Sequence, residues 1–334
     1  MLSIHDFLIM TNVEKKIAIS LRRFFRLVLG YKDKFETTSE NCDYFNQEAS
    51  DLILDGLKSE TPFAVSRFGH SELRALLTYL HIQEDSSTQS KLFSFIKGEK
   101  VEPWWSENTL KIITHNAGLF PKGIDVIENF CRLLLVDMQQ IDVLGSWLGG
   151  EKWVRHMMPN TKFMRFHDFY HFLHKRPWTA ALKDKKVLVV HPFSKSIQNQ
   201  YKLKDKIFGN PYTLPDFELI TYKAVQSIAG NKPVGFDNWF QALDSMKSDF
   251  SNINFDIAIL GCGAYGMPLA AFIKRDLQKK AIHLGGNTQI LFGVKGSRWE
   301  SDPNFVHIFN SFWAKPLVEE TPVGHETIDS NCYW

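Results

Sequence analysis

The chain alternates between short apolar runs and longer segments in which apolar residues recur at helical spacing. The apolar runs are rich in β-branched residues and predict strands at Phe63–Ser66, Ile141–Leu144, Val187–His191, Phe217–Thr221, Phe255–Leu260 and Ala281–Leu284. The helical spacing predicts helices at Glu72–Leu80, Ile124–Met138, Ser196–Ile207 and Pro268–Leu277. Because alternation of this kind is typical of sheets covered on both faces, the pattern predicts an α/β fold with a mostly parallel sheet.

The first 45 residues differ from the rest of the chain. Apolar residues at helical spacing are accompanied there by a cluster of basic ones; the apolar set is Ile17, Leu21, Phe24 and Val28, and the basic set is Lys15, Lys16, Arg22, Arg23 and Arg26. Such an amphipathic helix either lies in a membrane interface beside anionic lipid or packs on the protein with its basic face in water. A polar stretch, Thr37–Asn46, predicts a linker to the body of the protein.

The organisation expected from these patterns is an N-terminal helix and linker over 1–45, followed by one α/β unit over 46–334. A possible seam between two halves of that unit lies at 183–186, where Lys183, Asp184, Lys185 and Lys186 precede a predicted strand.

Composition limits the kind of partner. With a net charge of +2 over 334 residues, the chain has no overall field that demands nucleic acid. Its four cysteines form no CxxC pair, so neither a zinc knuckle nor a redox motif is predicted and a reducing cytoplasm is the simplest location. We find no signal peptide and no apolar run of the ~18–20 residues that span a bilayer. We therefore expect a cytoplasmic protein that is either free or peripheral on the cytoplasmic face of the inner membrane.

The segment Ser66–Leu73 leaves a predicted strand through a turn at Gly69 and enters a helix. Arg67 is placed to pair with a phosphate. Glu72, with or without His70, is placed to bind a divalent metal such as manganese or magnesium, or to act as a base. The alternative is structural: Ser71 caps the helix, Glu72 is a first-turn carboxylate and Arg67 forms a surface ion pair.

The segment Phe255–Gly266 carries Gly261, Gly263 and Gly266 as a GxGxxG pattern between a predicted strand and a predicted helix. Glycines at such a turn let the backbone approach a diphosphate, and the helix N-terminus supplies N–H donors. An NAD site also requires an acidic residue about 20 positions on, at the end of the next strand. That strand ends in His283 instead. The pattern predicts a Rossmann-like phosphate or diphosphate site and argues against NAD as cofactor.

Two further segments follow strands. The first, Gly285–Trp299, combines glycine turns with amide, basic and aromatic side chains; its candidate donor-binding residues are Gly285, Gly286, Gln289, Lys295, Arg298 and Trp299. A structural loop with a solvated basic face is the alternative. The second, His191–Tyr201, offers a possible anion site formed by His191, Ser194 and Ser196 at a helix start, although His191 also fits a core position. The aromatic tail Cys332–Trp334 fits either burial or a cover over an acceptor site.

At Ser66–Glu72 and Ile259–Trp299 the chain resembles the GT-D-type glycosyltransferases and related proteins of bacterial capsule loci. Family members carry an Arg-Phe-Gly-Asp-Gly-Glu-like element whose two acids bind metal and the nucleotide-sugar donor; here it is Arg67-Phe68-Gly69-His70-Ser71-Glu72. They also carry a late strand ending in Leu-Gly, a small-residue helix start and a glycine turn; here these are Leu260-Gly261, Pro268-Leu269-Ala270-Ala271 and Ile282-His283-Leu284-Gly285-Gly286. Only Glu72 carries over from the two acids, so either His70 replaces the aspartate as ligand or basic residues carry the diphosphate charge unaided.

The resemblance implies a transferase that moves a sugar from a nucleotide-diphosphate-sugar donor to a growing surface glycan, free or carried on a lipid. Because both blocks follow strands of one parallel sheet, Glu72 and Gly263 should lie within roughly 20 Å of each other. Two alternatives remain: an NAD-linked or other nucleotide-dependent sugar-modifying enzyme, and a non-catalytic sugar-nucleotide-binding protein.

Overall fold

The computed structural model describes residues 11–30, 42–208, 213–328 and 331–334. Seven parallel strands form a single sheet in the order β3-β2-β1-β7-β6-β4-β5. They are β1 Phe63–Ser66, β2 Val143–Ser146, β3 Lys162–Arg165, β4 Lys186–His191, β5 Glu218–Lys223, β6 Ile257–Leu260 and β7 Lys280–His283. The predicted α/β, Rossmann-like fold is thereby confirmed, and every strand pairing in the described sheet is parallel.

Sequence patterns missed only β3 among these strands. It has two buried apolar residues, Phe163 and Met164, between the more exposed Lys162 and Arg165. Its strand partner is β2, and its outer edge forms only an isolated β-bridge with Tyr44. A short edge strand buries too few residues to leave a clear apolar run in the sequence. β2 also begins two residues later than predicted.

Helices surround the sheet. The α-helices are α1 Asn12–Leu29, α2 Asn46–Lys58, α3 His70–Gln83, α4 Thr88–Ile96, α5 Glu107–His115, α6 Ile124–Asp137, α7 Ser194–Tyr201, α8 Lys204–Ile207, α9 Trp239–Ser251, α10 Gly266–Arg275, α11 Asn287–Leu291, α12 Ser297–Glu300 and α13 Pro303–Val306. Three predicted helices coincide with α3, α6 and α10, whereas the one predicted over Ser196–Ile207 is divided into α7 and α8.

The core has two layers because successive strand residues point to opposite faces. In β4, Leu188 and Val190 join the face covered by α3, α6, α9 and α10. Val187 and Val189 join the other face, which is covered by α2 and α7 together with the buried Trp178. Helices therefore cover both faces, as predicted, and all strands end at a common edge where loops can form a site.

The N-terminal helix α1 lies against α4. Thr11 and Glu14 form a reciprocal capping box at its start, and Gly30 ends it in a left-handed conformation. Half of the predicted linker, 37–41, falls outside the described residues. None of the described helices is both long and apolar enough to cross a bilayer.

The sheet is continuous across the predicted seam at 183–186, which lies at the entry to β4. The two halves are joined at the centre, where β1 from the first half pairs with β7 from the second.

Candidate functional site at the switch point of the sheet

The carboxyl edge of the sheet contains one point where the chain leaves two neighbouring strands in opposite directions. From β4 it continues to β5 on the outer side, and from β6 it continues to β7 on the inner side. Ligands of open α/β sheets bind in the crevice at such a switch point. A cleft opens here between His191–Phe193, which follow β4, and Gly261–Gly263, which follow β6.

The cleft has an empty volume of about 690 Å³, counted with its open mouth. Besides the two strand ends, its walls come from five parts of the chain: Arg67, Asn116–Ala117, 225–228, the turn of Gly285, Gly286 and Gln289, and the segment of Ile328, Tyr333 and Trp334.

The two blocks singled out from the sequence meet here. Arg67, Gly69 and Glu72 line a small cavity together with Gly263 and His283, next to the main cleft that Arg67 and Gly263 also line. The prediction that the blocks share one edge of the sheet is confirmed.

Arg67 is the only charged side chain among the described residues that line the main cleft, since the histidine there is neutral. Its guanidinium lies against Gly285, whose φ is +59° and where a Cβ atom would overlap the guanidinium. One nitrogen, Nη1, donates to the carbonyl oxygen of Phe68 at 3.1 Å. The Nε atom is buried and has no hydrogen-bond partner in the described structure. Because a buried, unpaired charged donor is costly, this position fits an anionic ligand.

A second unpaired donor belongs to another residue that lines the cleft. Trp334 is 7% exposed, and its indole Nε1 is buried without a partner in the described structure. Indole nitrogen can only donate. Two residues of the cleft wall thus have unpaired donors, which suits a ligand rich in acceptor oxygens.

Two buried histidines at the strand ends are neutral. Burial lowers the pKa of His191 to about 3, and the Phe193 backbone N–H donates to its Nδ1 at 2.9 Å, so the ring carries its proton on Nε2. Burial and then the nearby Arg67 charge lower the pKa of His283, whose Nδ1 is 3.0 Å from Ser66 Oγ. His191 lines the cleft as a candidate hydrogen-bond donor, but a ring with so low a pKa is a weak base near neutral pH.

The glycines of the GxGxxG pattern serve different purposes. A Cβ at Gly261 would overlap His191 and Thr288, and one at Gly266 would overlap the ring of His283. Gly263 has a φ of +59°, and the nearest atom that a Cβ there would meet is 3.9 Å away. Only Gly263 thus offers open backbone to a ligand; Gly261 lines the cleft but is required mainly by packing, and Gly266 lies beneath His283.

Three residues predicted to bind the donor lie outside the cleft. Lys295 Nζ pairs with Glu300 Oε1 at 3.1 Å. Arg298 Cζ lies 4.9 Å from the ring centre of Tyr333, and its Nη2 is 2.9 Å from Cys332 Sγ. Trp299 is 1% exposed in a satellite core, so its ring has no free face for a base or sugar. These interactions give Lys295, Arg298 and Trp299 structural positions.

The glycine turn after β7 does reach the cleft. Gly286 lies against the Tyr333 ring, and Gln289 donates from Nε2 to the Tyr333 carbonyl oxygen at 3.1 Å. Together with Arg298 they hold the aromatic tail in place, so the tail is a wall of the cleft. Of the two expectations for this tail, burial is the correct one.

The predicted anion site at the start of α7 holds a carboxylate of the protein itself. Glu320 accepts from the backbone N–H groups of Lys195 at 2.7 Å and Ser196 at 3.0 Å, and from the Ser196 hydroxyl. The helix start does attract negative charge, as expected for unpaired first-turn N–H groups. The ligand assignment of Ser194 and Ser196 is corrected, because Glu320 fills the position.

His70 and Glu72 do not fit a joint metal site. They are two residues apart in the first turn of α3, and side chains at this spacing point about 200° apart around a helix. His70 is exposed, and the Glu72 carboxylate folds back toward Gly69. Within the described ranges, no three His, Cys, Asp or Glu side chains are grouped closely enough to hold a metal ion. We therefore derive no step through a metal and treat Glu72 alone as the candidate catalytic carboxylate.

Sequence reasoning missed a buried group that supports the Arg67 turn. Trp147, just after β2, donates from Nε1 to the Phe68 carbonyl oxygen at 2.9 Å. Glu151 holds this loop by accepting from Ser146 Oγ and from the backbone N–H groups of Trp147 and Leu148. Burial raises the pKa of Glu151 to about 7. The position of Glu151, five residues after the end of β2, was the only available signal.

The loop Ala224–Ile228 was missed for a simpler reason. The predicted strand stopped at Thr221, whereas β5 continues to Lys223. The residues that follow it therefore lie at the carboxyl edge and line the cleft.

Together these features define the class: an α/β protein with a Rossmann-like parallel sheet and a donor-lined cleft at its switch point. A scan against models of known protein families, a search of curated proteins and a search of solved structures each gave no match.

Proposed function

We propose that this protein is a glycosyltransferase that moves a sugar from a nucleotide-diphosphate-sugar donor to a growing surface glycan in bacterial polysaccharide biosynthesis. The observation that carries the proposal is the environment of Arg67. Its guanidinium is seated on Gly285, has an unpaired buried Nε–H and is the single cation of the described cleft wall. A diphosphate supplies the charge and the acceptor oxygens that this environment lacks.

Catalysis by such a site consists mainly of stabilising the leaving group. In the proposed reaction an acceptor hydroxyl oxygen attacks the anomeric carbon, the bond from that carbon to the diphosphate oxygen breaks, and the hydroxyl proton passes to a base. Arg67 neutralises the charge that develops on the departing nucleoside diphosphate. The open backbone at Gly263 gives the diphosphate close access to the loop, and the His191 Nε2–H is placed to donate to the ligand.

Glu72 is the proposed base. It lines the cavity that Arg67 and Gly263 share, at the start of a helix that follows a central strand. It is also the acid that corresponds to the GT-D-like element, which supports a catalytic role. The proposed substrates are a nucleotide sugar and a glycan acceptor. The proposed location is the cytoplasm, at the membrane surface where a lipid-carried acceptor would be met.

One observation favours a second candidate, a sugar-nucleotide-binding protein without turnover. No carboxylate lines the main cleft among the described residues, and Glu72 lies in the adjoining small cavity. Binding without reaction would follow if Glu72 does not reach the acceptor.

Nucleoside diphosphate binding tests the assignment of Arg67. We expect Arg67→Gln to weaken binding of uridine or guanosine diphosphate by roughly 10–100-fold in calorimetric titration, because a charged hydrogen bond is worth about 1.5–3 kcal/mol. Arg132→Gln is the matched control, since Arg132 is a surface residue paired with Glu128 on α6. Equal affinities of the two variants would contradict a diphosphate at Arg67.

Turnover separates the two candidates. With a panel of nucleotide sugars, we expect Glu72→Gln to reduce transfer or donor hydrolysis by about 10²–10⁴-fold, the range for loss of a general base, with unchanged diphosphate affinity. Glu48→Gln, which alters an exposed first-turn carboxylate on α2, should behave as wild type. Activity should also survive excess chelator. Donor binding without turnover by the wild type would favour the binding protein.

A further inference from the structure

An apolar stripe runs along the outer side of α1. It consists of Val13, Ile17, Leu21, Phe24 and Val28, each between 42% and 65% exposed. The spacings of four, four, three and four residues place these side chains on one side of the helix. No described residue covers this outer stripe.

The opposite side of α1 is the one that is fixed to the protein. Ala18 is buried in a small cluster with Phe95 and Trp104. The Arg22 guanidinium donates to the carbonyl oxygens of Phe95 and Lys100 and lies 4.4 Å from the centre of the Phe95 ring. The helix is thus docked through Ala18, the partly buried Ile19 and Arg22, while the longer apolar stripe is turned to the outside.

Positive charge borders the outer stripe. Lys16 and Arg23 are exposed, and the helical repeat places them about 100° around the helix from the centre of the stripe, on one flank. Arg26 is exposed on the opposite side of the helix, and Glu14 is the only acidic residue of the helix. An apolar stripe with a cationic flank complements a membrane interface that contains anionic lipid.

We infer that the outer stripe of α1 is a docking surface for an anionic membrane. The apolar side chains would enter the boundary between headgroups and acyl chains, while Lys16 and Arg23 contact lipid phosphates. The Ala18 and Arg22 contacts would keep α1 attached to α4 and, through α4, to the body of the protein. This inference adds a partner to the proposed function and does not depend on the chemistry in the cleft.

Vesicle sedimentation tests the surface. We expect the full chain to sediment with vesicles of phosphatidylcholine and phosphatidylglycerol at low salt, and less with phosphatidylcholine alone. Leu21→Ser with Phe24→Ser should weaken binding by about tenfold or more, because two of the five apolar side chains of the stripe, including its one aromatic ring, are replaced by polar ones. Val234→Ser with Val323→Ser is the matched control, since these apolar residues are 97% and 85% exposed on the body. Lys16→Glu with Arg23→Glu should remove most of the preference for the anionic vesicles.

Three results would overturn the inference. The wild type could fail to sediment with anionic vesicles, or the control pair could lose as much binding as the stripe pair. The stripe pair could instead lower the mass of a dimer in equilibrium ultracentrifugation, which would assign the surface to a second copy. Donor hydrolysis in solution separates this test from that of the proposed function, because the stripe variants should leave it unchanged.

Discussion

At the scale of single residues, the cleft depends on side chains that sequence patterns place only in part. Arg67 and Gly263 were identified from motifs, and both line the cleft. Gly285 was predicted to bind the donor, but its absent side chain makes room for Arg67. A glycine pattern indicates positions where another group approaches the backbone closely. It does not indicate whether that group is a ligand or another residue of the protein.

Buried acids are harder to predict. Neither Glu151 nor Glu320 belongs to a motif, because their roles depend on donors that the fold brings to them. Trp299 shows the reverse error: its position in a glycine-rich loop indicated ligand stacking, whereas it is buried beside Tyr170.

Glu151 makes stability depend on pH. Burial raises its pKa to about 7 in the folded protein, against 4.5 as its ordinary value, although Ser146, two backbone N–H groups and Arg67 oppose this shift. The folded state therefore binds more protons than the unfolded state between these values. The contribution of Glu151 to stability is fully present below about pH 4.5 and is lost as the pH rises through about 7.

We predict that Glu151→Gln removes this loss of stability at higher pH. A glutamine can accept the Trp147 and Leu148 N–H groups with its oxygen and donate to Ser146 Oγ, so it resembles the protonated acid. In urea unfolding, the stability of the variant relative to wild type should increase by about 2 kcal/mol between pH 5.5 and pH 8. Glu48→Gln serves as the control for an exposed carboxylate. Parallel profiles for wild type and Glu151→Gln would show that Glu151 titrates normally.

At the scale of elements, six of the seven strands and the helices α1, α3, α6 and α10 were predicted, because each has a regular apolar pattern. The helices α2 and α9 were not predicted, although each has 13 residues. The other exceptions are short or at an edge. β3 contributes two core residues, and α7 is separated from α8 by a turn at Lys202–Leu203 that the helical pattern does not reveal. Whether α1 turns its apolar side inward or outward could not be predicted, because both arrangements require the same spacing.

The contact between Glu320 and the start of α7 allows an element-scale prediction. Glu320→Ala leaves two first-turn N–H groups and a serine hydroxyl without their carboxylate, and we expect a loss of roughly 2–4 kcal/mol in the free energy of unfolding. Glu319→Ala is the matched control. That neighbour is exposed, its carboxylate lies 3.8 Å from Lys195 Nζ, and its removal should cost at most about 0.5 kcal/mol.

Added sulfate provides a second readout for this helix start. It should raise the melting temperature of Glu320→Ala more than that of wild type in calorimetry, because the vacated N–H groups can bind the anion. The assignment would be wrong if the two alanine variants were equally stable and sulfate acted on both alike.

At the scale of the whole molecule, the order of the strands was the part that sequence could not supply. Local patterns locate strands, but pairing of β1 with β7 is decided by packing across the complete sheet. The cleft follows from that order, since its position is set by the two connections that diverge from β4 and β6. Motifs found separately could be assigned to one site only once the sheet was assembled.

The β1–β7 pairing also predicts how the protein folds when its chain is cut into two fragments. A piece covering 42–252 contains β1 to β5 but leaves β1 and β4 without the strands between them, so we expect it to lack a cooperative urea transition by circular dichroism. Co-expression with the remainder, beginning at Ile253, should restore a folded complex because the cut falls beside the exposed Asn252. A piece that unfolds cooperatively alone would show that the first five strands form an independent unit.

The same pairing has a consequence during protein synthesis. Ser66 at the end of β1 and His283 at the end of β7 are hydrogen-bonded to each other and are 217 residues apart in the chain. At the usual elongation rate of about 5–20 residues per second, β1 emerges roughly 10–40 s before its partner β7 exists. Throughout that interval one edge of β1 has unpaired N–H and C=O groups, and both of its faces are apolar. Chaperones bind such surfaces, and aggregation begins at them. Slower growth at low temperature and co-produced chaperones should therefore raise the yield of soluble protein more than changes to the finished surface.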